Sequence, residues 1–348
     1  MPNINTQQQY QQVLSMAVED RSSGYQDLVS NNNALLAIMK RKGLWKTYSG
    51  PYIRETLQVG KQLSQWYSGY DQLLNPAIDL FNDVVYSPKM VVVPIILSMQ
   101  EILNNEGEAQ RIDVLEAYLS AAENALEDAM DAGIYSDGTA NGNKQITGLA
   151  MAIPALPNTG TYATIDRAIT PMWRTTAWDA SNQAGSTTPG MPAALTTQVT
   201  KDSIRPMLNY IMTKQSRGRD YADLLIMSPE HYAAYDAATV AIQRQTSNTS
   251  LGQLGFTALE YIGGGKRAEI VLDGGIGSNM PANTTFGINT DSLRLRYHPN
   301  RNFDKLFDGD GQMPIDKDAV AQFIGWMGEL TMVNPMFNWR LYDSNIAA

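Results

Sequence analysis

Apolar residues recur at spacings of three and four from Glu108 to Ala132, at Ile112, Leu115, Leu119, Ala122, Leu126 and Ala129. That pattern predicts one long amphipathic helix. Asn104 or Asn105 supplies a cap at its start, and Gly133 suits its C-terminal stop. At about 1.5 Å per residue the helix is roughly 37 Å long, enough to run the length of a domain. Glu123, Glu127, Asp128 and Asp131 crowd its C-terminal half. The helix macrodipole disfavours negative charge there, so solvent or a basic partner must compensate.

Before this helix the texture differs. The first forty residues carry scattered apolar positions, Leu14, Ala17, Val18, Leu28, Leu35, Leu36, Ile38 and Met39, interrupted by Asn31, Asn32 and Asn33. Their helical spacing in a polar setting reads as an extended arm with short helical pieces, with too little apolar surface to order without a partner subunit. Between 46 and 93, strand-like stretches (Tyr52, Ile53, Thr56, Leu57, Val59; then Val84, Val85, Tyr86 and Val91 to Val93) flank SQWYSGYDQLLNPAIDLFND. That insert is too long for a compact turn and predicts a hairpin reaching away from the body. Trp66, Tyr67 and Tyr70 sit within it. They read equally as anchors on a neighbouring copy or as ordinary core residues.

Beyond the helix the chain mixes strands and helices, an α+β lobe. Lys201 to Lys214 reads as a helix in which Pro206 is tolerable near the first turn. Leu224 to Met227 reads as a buried strand, and Ser228, Pro229 and Glu230 open the next helix. Ala268 to Leu272 and Thr285 to Ile288 read as further strands between glycine-rich turns. Leu293, Leu295 and Tyr297 begin a return to strand texture, and Val320 to Leu341 reads as a long strand-rich ending that packs on the helix. The first lobe would then be discontinuous in sequence, built from residues before and after the middle lobe.

Composition narrows the function classes. Hydrophobic residues at 43% and charged residues at 18% describe a chain that collapses. The 26 Lys and Arg against 35 Asp and Glu give a net charge of -9, the wrong sign for a protein that grips phosphate backbones. The cluster Lys40, Arg41, Lys42 and Lys46 reads as a solvated face. No cysteine occurs, which excludes disulfides and thiolate chemistry. The polar opening does not read as a secretory signal. The apolar run Met90 to Met99, with Pro94 and Ser98, is about half the length of a bilayer span, so a soluble protein made in the cytoplasm is expected.

Candidate chemistry is sparse. His231 and His298 lie in no metal-binding context, and structural roles are expected for both. Lys266 lacks the spacing of a phosphate loop, and Gly275 and Gly277 lack that of a dinucleotide fold. Asp308, Asp310, Asp316 and Asp318 suggest a solvated acidic loop, with a surface calcium site as the lesser alternative. No catalytic residue, cofactor or metal is expected, and the chain is not read as an enzyme.

The order of polar arm, long hairpin, long helix, α+β lobe and returning strands resembles the Hong Kong 97 type of tailed-phage major capsid protein. Local wording carries the same resemblance. EILNNEGEAQRIDVLEAYLSAAENALEDAMDAGIYSDG looks like that family's spine-helix stretch, and QITGL, Gln145 to Leu149, looks like its exit. Thr161 to Arg174 looks like its Ile-x-Arg-x(5)-Trp phrase, carried by Ile165, Arg167 and Trp173, although many relatives have glycine at Ala163 and Thr164. DLLIMSPEHYAAY resembles its central lobe.

The resemblance implies an α+β capsid fold with five parts: an N-terminal arm (1–45), an extended loop (46–93), a peripheral domain with its spine helix at 108–132 (94–147), an axial domain (148–289) and a return to the peripheral domain (290–348). It implies self-assembly into pentamers and hexamers of an icosahedral virion shell enclosing double-stranded DNA without sequence-specific binding, assembled in the host cytoplasm. Expected partners are other copies of the chain, a separate scaffolding protein and a portal, with room for a decoration protein and no membrane. Candidate contacts between subunits are Arg54, Lys61, Trp66, Tyr67, Tyr70, Arg167 and Trp173. The alternatives are an encapsulin-like cellular compartment of the same fold, or an α+β enzyme with an unrecognised acidic site.

Overall fold

In the computed structural model the described residues are 33–58, 64–74, 80–98, 100, 108–183, 190–239, 258–275, 278–306 and 319–344. Helix α1 (Ala34–Arg41) opens them, followed by β1 (Trp45–Thr47), β2 (Ile53–Gln58), β3 (Phe81–Tyr86) and β4 (Lys89–Ser98). Helix α2 (Glu108–Tyr135) leads into β5 (Thr161–Tyr162), β6 (Ile165–Asp166), β7 (Thr176–Gln183) and β8 (Gly190–Met191). The remainder is α3 (Ile204–Lys214), β9 (Leu224–Met227), α4 (Pro229–Thr239), β10 (Ala258–Gly263), β11 (Lys266–Leu272), β12 (Thr284–Ile288), β13 (Leu293–Lys305), β14 (Ala319–Met332) and β15 (Trp339–Tyr342).

Strand β4 shows why the first lobe has an inside. Val93, Ile95 and Leu97 are buried while Met90, Val92, Pro94 and Ile96 face out, the period-two alternation of a sheet covered on one side. It forms one edge of a four-stranded sheet ordered β1-β13-β14-β4. Helix α2 packs on β4, burying Leu119, Ala122, Leu126, Met130 and Ile134 along one stripe. The helix runs past its expected end. Gly133 lies inside it, where a β-carbon would sit 3.1 Å from Ile146, so this glycine serves the close passage of the returning chain. Gly148 comes closer still, since its β-carbon would stand 2.2 Å from the Ile134 carbonyl oxygen.

The second sheet has seven strands in the order β10-β11-β9-β12-β15-β7-β8. It is a wall between two cores. Leu224 and Ile226 of β9 join the core shared with α1, α2 and β14, while Leu225 and Met227 join a second core beneath α3. Burial on both faces explains why LLIM is an unbroken apolar run. In α3, Pro206 falls third, where its missing N–H is one the first turn leaves unpaired anyway. No helix among the described residues is long and apolar enough to cross a membrane.

Three expectations need correction. Residues 33–41 are not part of a loose arm: Asn33 caps α1 by accepting the Leu36 N–H at 3.1 Å, and Ala34 to Met39 are all buried in the subunit's own core. Two members of the basic cluster are paired rather than merely solvated, Arg41 with Glu269 at 2.9 Å and Lys42 with Asp223 at 2.6 Å. The strand-rich ending does not stay in one lobe. Pro335 interrupts it with a short 3-10 turn, and β15 then enters the seven-stranded sheet between β12 and β7. Asp131, whose charge called for solvent or a basic partner, is met by the amides of Asn279, both nitrogens at 2.9 Å, and by the Asn33 side chain.

Candidate inter-subunit surface

Strands β2 and β3 form an antiparallel ribbon in register from Ile53 with Tyr86 to Gln58 with Phe81. Its inner face, Ile53, Leu57, Val84 and Tyr86, packs into the body's core, and hydrogen bonds at its base add to this. Tyr86 buries its ring and donates its hydroxyl to the Met332 carbonyl at 2.8 Å. Burial pushes that phenol well above its ordinary pKa. Glu55 accepts from Arg296 of β13, 3.1 Å to Nε and 2.5 Å to Nη2, with both side chains mostly enclosed. The Val85 N–H reaches the Thr164 hydroxyl at 3.4 Å. A cavity of about 410 Å³, lined by residues 47–54 and Arg296, lies beside this base.

Farther out, the described residues 64–74 of the ribbon's insert are all exposed. Trp66 and Tyr70 are fully exposed and Tyr67 is 67% exposed, with Leu73, Leu74 and Phe81 also open. The core alternative for these aromatics is thereby removed. Arg54 is exposed at the base, and Lys61 lies outside the described residues. A second open apolar strip runs along β4, where Met90 is 70%, Val92 49% and Ile96 47% exposed. Pro94 in that edge strand offers no N–H for another strand to pair with.

Arg167 and Trp173, named beside these as contact candidates, are enclosed by their own subunit. Arg167 donates to the carbonyls of Met151 and Ala152, the latter at 3.1 Å, and lies 4.9 Å from the Tyr162 ring centre. Burial lowers its pKa. Trp173 stacks on Tyr162 with centroids 5.7 Å apart and donates Nε1–H to the Tyr162 carbonyl at 3.0 Å. Both side chains are thus enclosed within the chain, with Arg167 Nε left without a hydrogen-bond partner. Between β5 and β6, Ala163 and Thr164 form a two-residue turn at φ 48° and 70°, a left-handed pair that favours glycine.

Glu329 escaped notice in the sequence, although a lone carboxylate in GWMGELTM was a signal. It is 1% exposed, and Oε1 accepts from the N–H groups of Thr147 at 2.7 Å and Leu330 at 3.2 Å. Burial raises its pKa to about 8. His231 is likewise buried, sharing a hydrogen bond of 2.8 Å with Thr285, and burial lowers it to about 4. His298 packs edge-on to Tyr48 at 5.7 Å. Among the described residues no group of three or more acidic or histidine side chains could hold a metal ion. Asp308, Asp310, Asp316 and Asp318 lie outside the described residues.

No family model and no curated protein matches the sequence. Solved structures do match. The capsid asymmetric unit of cyanophage A-1(L) superimposes with a TM-score of 0.59 at 17% identity, covering 88% of this chain and 92% of that one. The capsid of a native GTA particle gives 0.52 at 11% identity, covering 87% and 89%. At these identities the likeness is one of fold, and the chain is an α+β protein whose fold resembles that of Hong Kong 97-type capsid proteins.

Proposed function

We propose that the chain is the major shell subunit of a tailed-bacteriophage head, assembling through copies of itself into pentamers and hexamers around double-stranded DNA, with no catalytic site. In this reading α2 is the spine helix, the four-stranded sheet is the peripheral domain and the seven-stranded sheet the axial domain. A separate scaffolding protein and a portal complete the assembly, and the finished product is a virion formed in the host cytoplasm.

The observation that carries the reading is the ribbon β2-β3 with its open Trp66, Tyr67 and Tyr70. A two-stranded ribbon is marginal in water by itself, and large exposed aromatics mark contact surfaces. Repeating copies can cover one another's ribbons, so many modest contacts close a shell that none would hold alone. A net charge of -9 suits an inner wall along which DNA slides during filling.

Replacing Trp66 and Tyr67 together by Ala tests the assembly step. Size-exclusion chromatography and negative-stain microscopy should show a folded subunit that no longer forms particles. Normal particles from the double variant remove these residues as anchors. A wild-type protein that stays monomeric under all assembly conditions removes the shell itself. The contents of purified wild-type particles separate a virion shell, which holds DNA, from an encapsulating compartment, which holds protein. Duplex DNA binding by the free subunit with a steep salt dependence would contradict the sliding wall.

A further inference from the structure

Arg296 and Glu329 are register partners on β13 and β14. Directly opposed residues of antiparallel strands project from the same face with β-carbons about 5 Å apart. Yet they do not pair. The Arg296 guanidinium is drawn to Glu55 on the ribbon, while Glu329 Oε2 is enclosed without a hydrogen-bond partner. One cation thus stands between two carboxylates, one on a projecting element and one on the fixed sheet.

We propose that Arg296 is a two-position latch: it holds the base of the β2-β3 ribbon through Glu55, and turns to Glu329 in a second state in which the ribbon keeps only its apolar packing and its Tyr86 and Val85 hydrogen bonds, and so opens more readily. A glutamine at 329 would accept the same two backbone N–H groups without the cost of burying an ionisable group. A carboxylate adds only the capacity to become a charge. Once ionised in its enclosed site, Glu329 would draw Arg296 more strongly than Glu55 does, because screening is weaker there. The raised pKa, about 8, places that event just above neutrality.

Arg296 is the cation directly opposite Glu329 on the neighbouring strand, and Lys89 is the cation that already acts on it. Lys89, at the start of β4, is felt by Glu329 but donates its ammonium to the Asn143 carbonyl. Tyr162 interacts electrostatically with Glu329, and its neighbour Arg167 is committed to two carbonyls. Glu55 also faces Tyr86, a neutral phenol. Lys46, the register partner of Arg296 on β1, is exposed.

The latch belongs to the subunit, so it is tested without assembly. Hydrogen exchange of the β2 and β3 amides is followed in the dilute full-length chain at pH 7 and pH 9, after correction for intrinsic rates, with β9 amides as reference. Wild-type exchange in the ribbon should rise by about tenfold or more, the equivalent of about 1.4 kcal/mol of opening. Glu329→Gln should stay slow at both pH values, and Glu55→Gln should be fast at both. A flat wild type, an unchanged rise in Glu329→Gln, or an equal rise in β9 overturns the latch. Should Glu329→Gln fail to fold, Arg296→Ala decides: a ribbon that is fast at both pH values supports it, and a retained pH dependence overturns it.

Discussion

The turn at Ala163 and Thr164 offers a quantitative test of local strain. Both residues hold positive φ, 48° and 70°, in a two-residue connection between β5 and β6. Left-handed backbone costs a residue with a β-carbon about 1–2 kcal/mol, with β-branched Thr at the upper end. Glycine removes that cost but brings about 0.5–1 kcal/mol of extra freedom to the unfolded chain. Ala163→Gly should therefore change stability by about 0–1.5 kcal/mol in the stabilising direction. Thr164→Gly relieves more strain, yet gives up the long 3.4 Å bond from Val85 N–H, worth about 0.5 kcal/mol at an exposed site. A net gain of about 1 kcal/mol follows, read as a rise of about 2–4 °C in the melting temperature of the unassembled subunit. A fall in melting temperature for both variants would refute the assignment of strain. A gain for Ala163→Gly with a loss for Thr164→Gly would instead assign the turn's value to the hydroxyl that braces β3.

Gly148→Ala should cost about 3 kcal/mol or more, because its new methyl meets the backbone carbonyls of Ile134 and Gly133 at 2.2 and 2.3 Å, and backbone cannot rotate aside; the yield of folded subunit checks this. Asp273 is buried beside Tyr135 and Asp131, and burial raises its pKa from 3.8 to about 6. Below both values the folded and unfolded chains are equally protonated there. Between them the unfolded chain ionises first, so this residue makes stability fall as pH rises from about 4 to about 6. Asp273→Asn should flatten that segment of a urea-stability profile, and an identical slope would count against the assignment.

Elements with a strong period were readable in advance. The three-and-four spacing located α2 because a single stripe of it meets β4, and LLIM located β9 because both of its faces are buried. Helix α1 reads from sequence as a short helical piece of an arm, and what escapes is its burial: Ala34 to Met39 are enclosed on every side by segments distant in sequence. Gly133 looked like a stop, since sequence does not distinguish a glycine that ends a helix from one over which another segment passes. Arg167 and Trp173 enter as contact candidates with the Ile-x-Arg-x(5)-Trp resemblance. Their partners are main-chain carbonyls brought together only by the fold. The latch residues Glu55, Arg296 and Glu329 come from three distant strands, and no spacing rule joins them.

The placement of β15 has a consequence for how the subunit is made. Trp339 to Tyr342 lie in the interior of their sheet, parallel to β7 and antiparallel to β12. Until a ribosome has released that stretch, the wall stays divided and its two halves cannot close. A nascent chain that has not yet released Trp339 to Tyr342 therefore lacks a continuous seven-stranded wall.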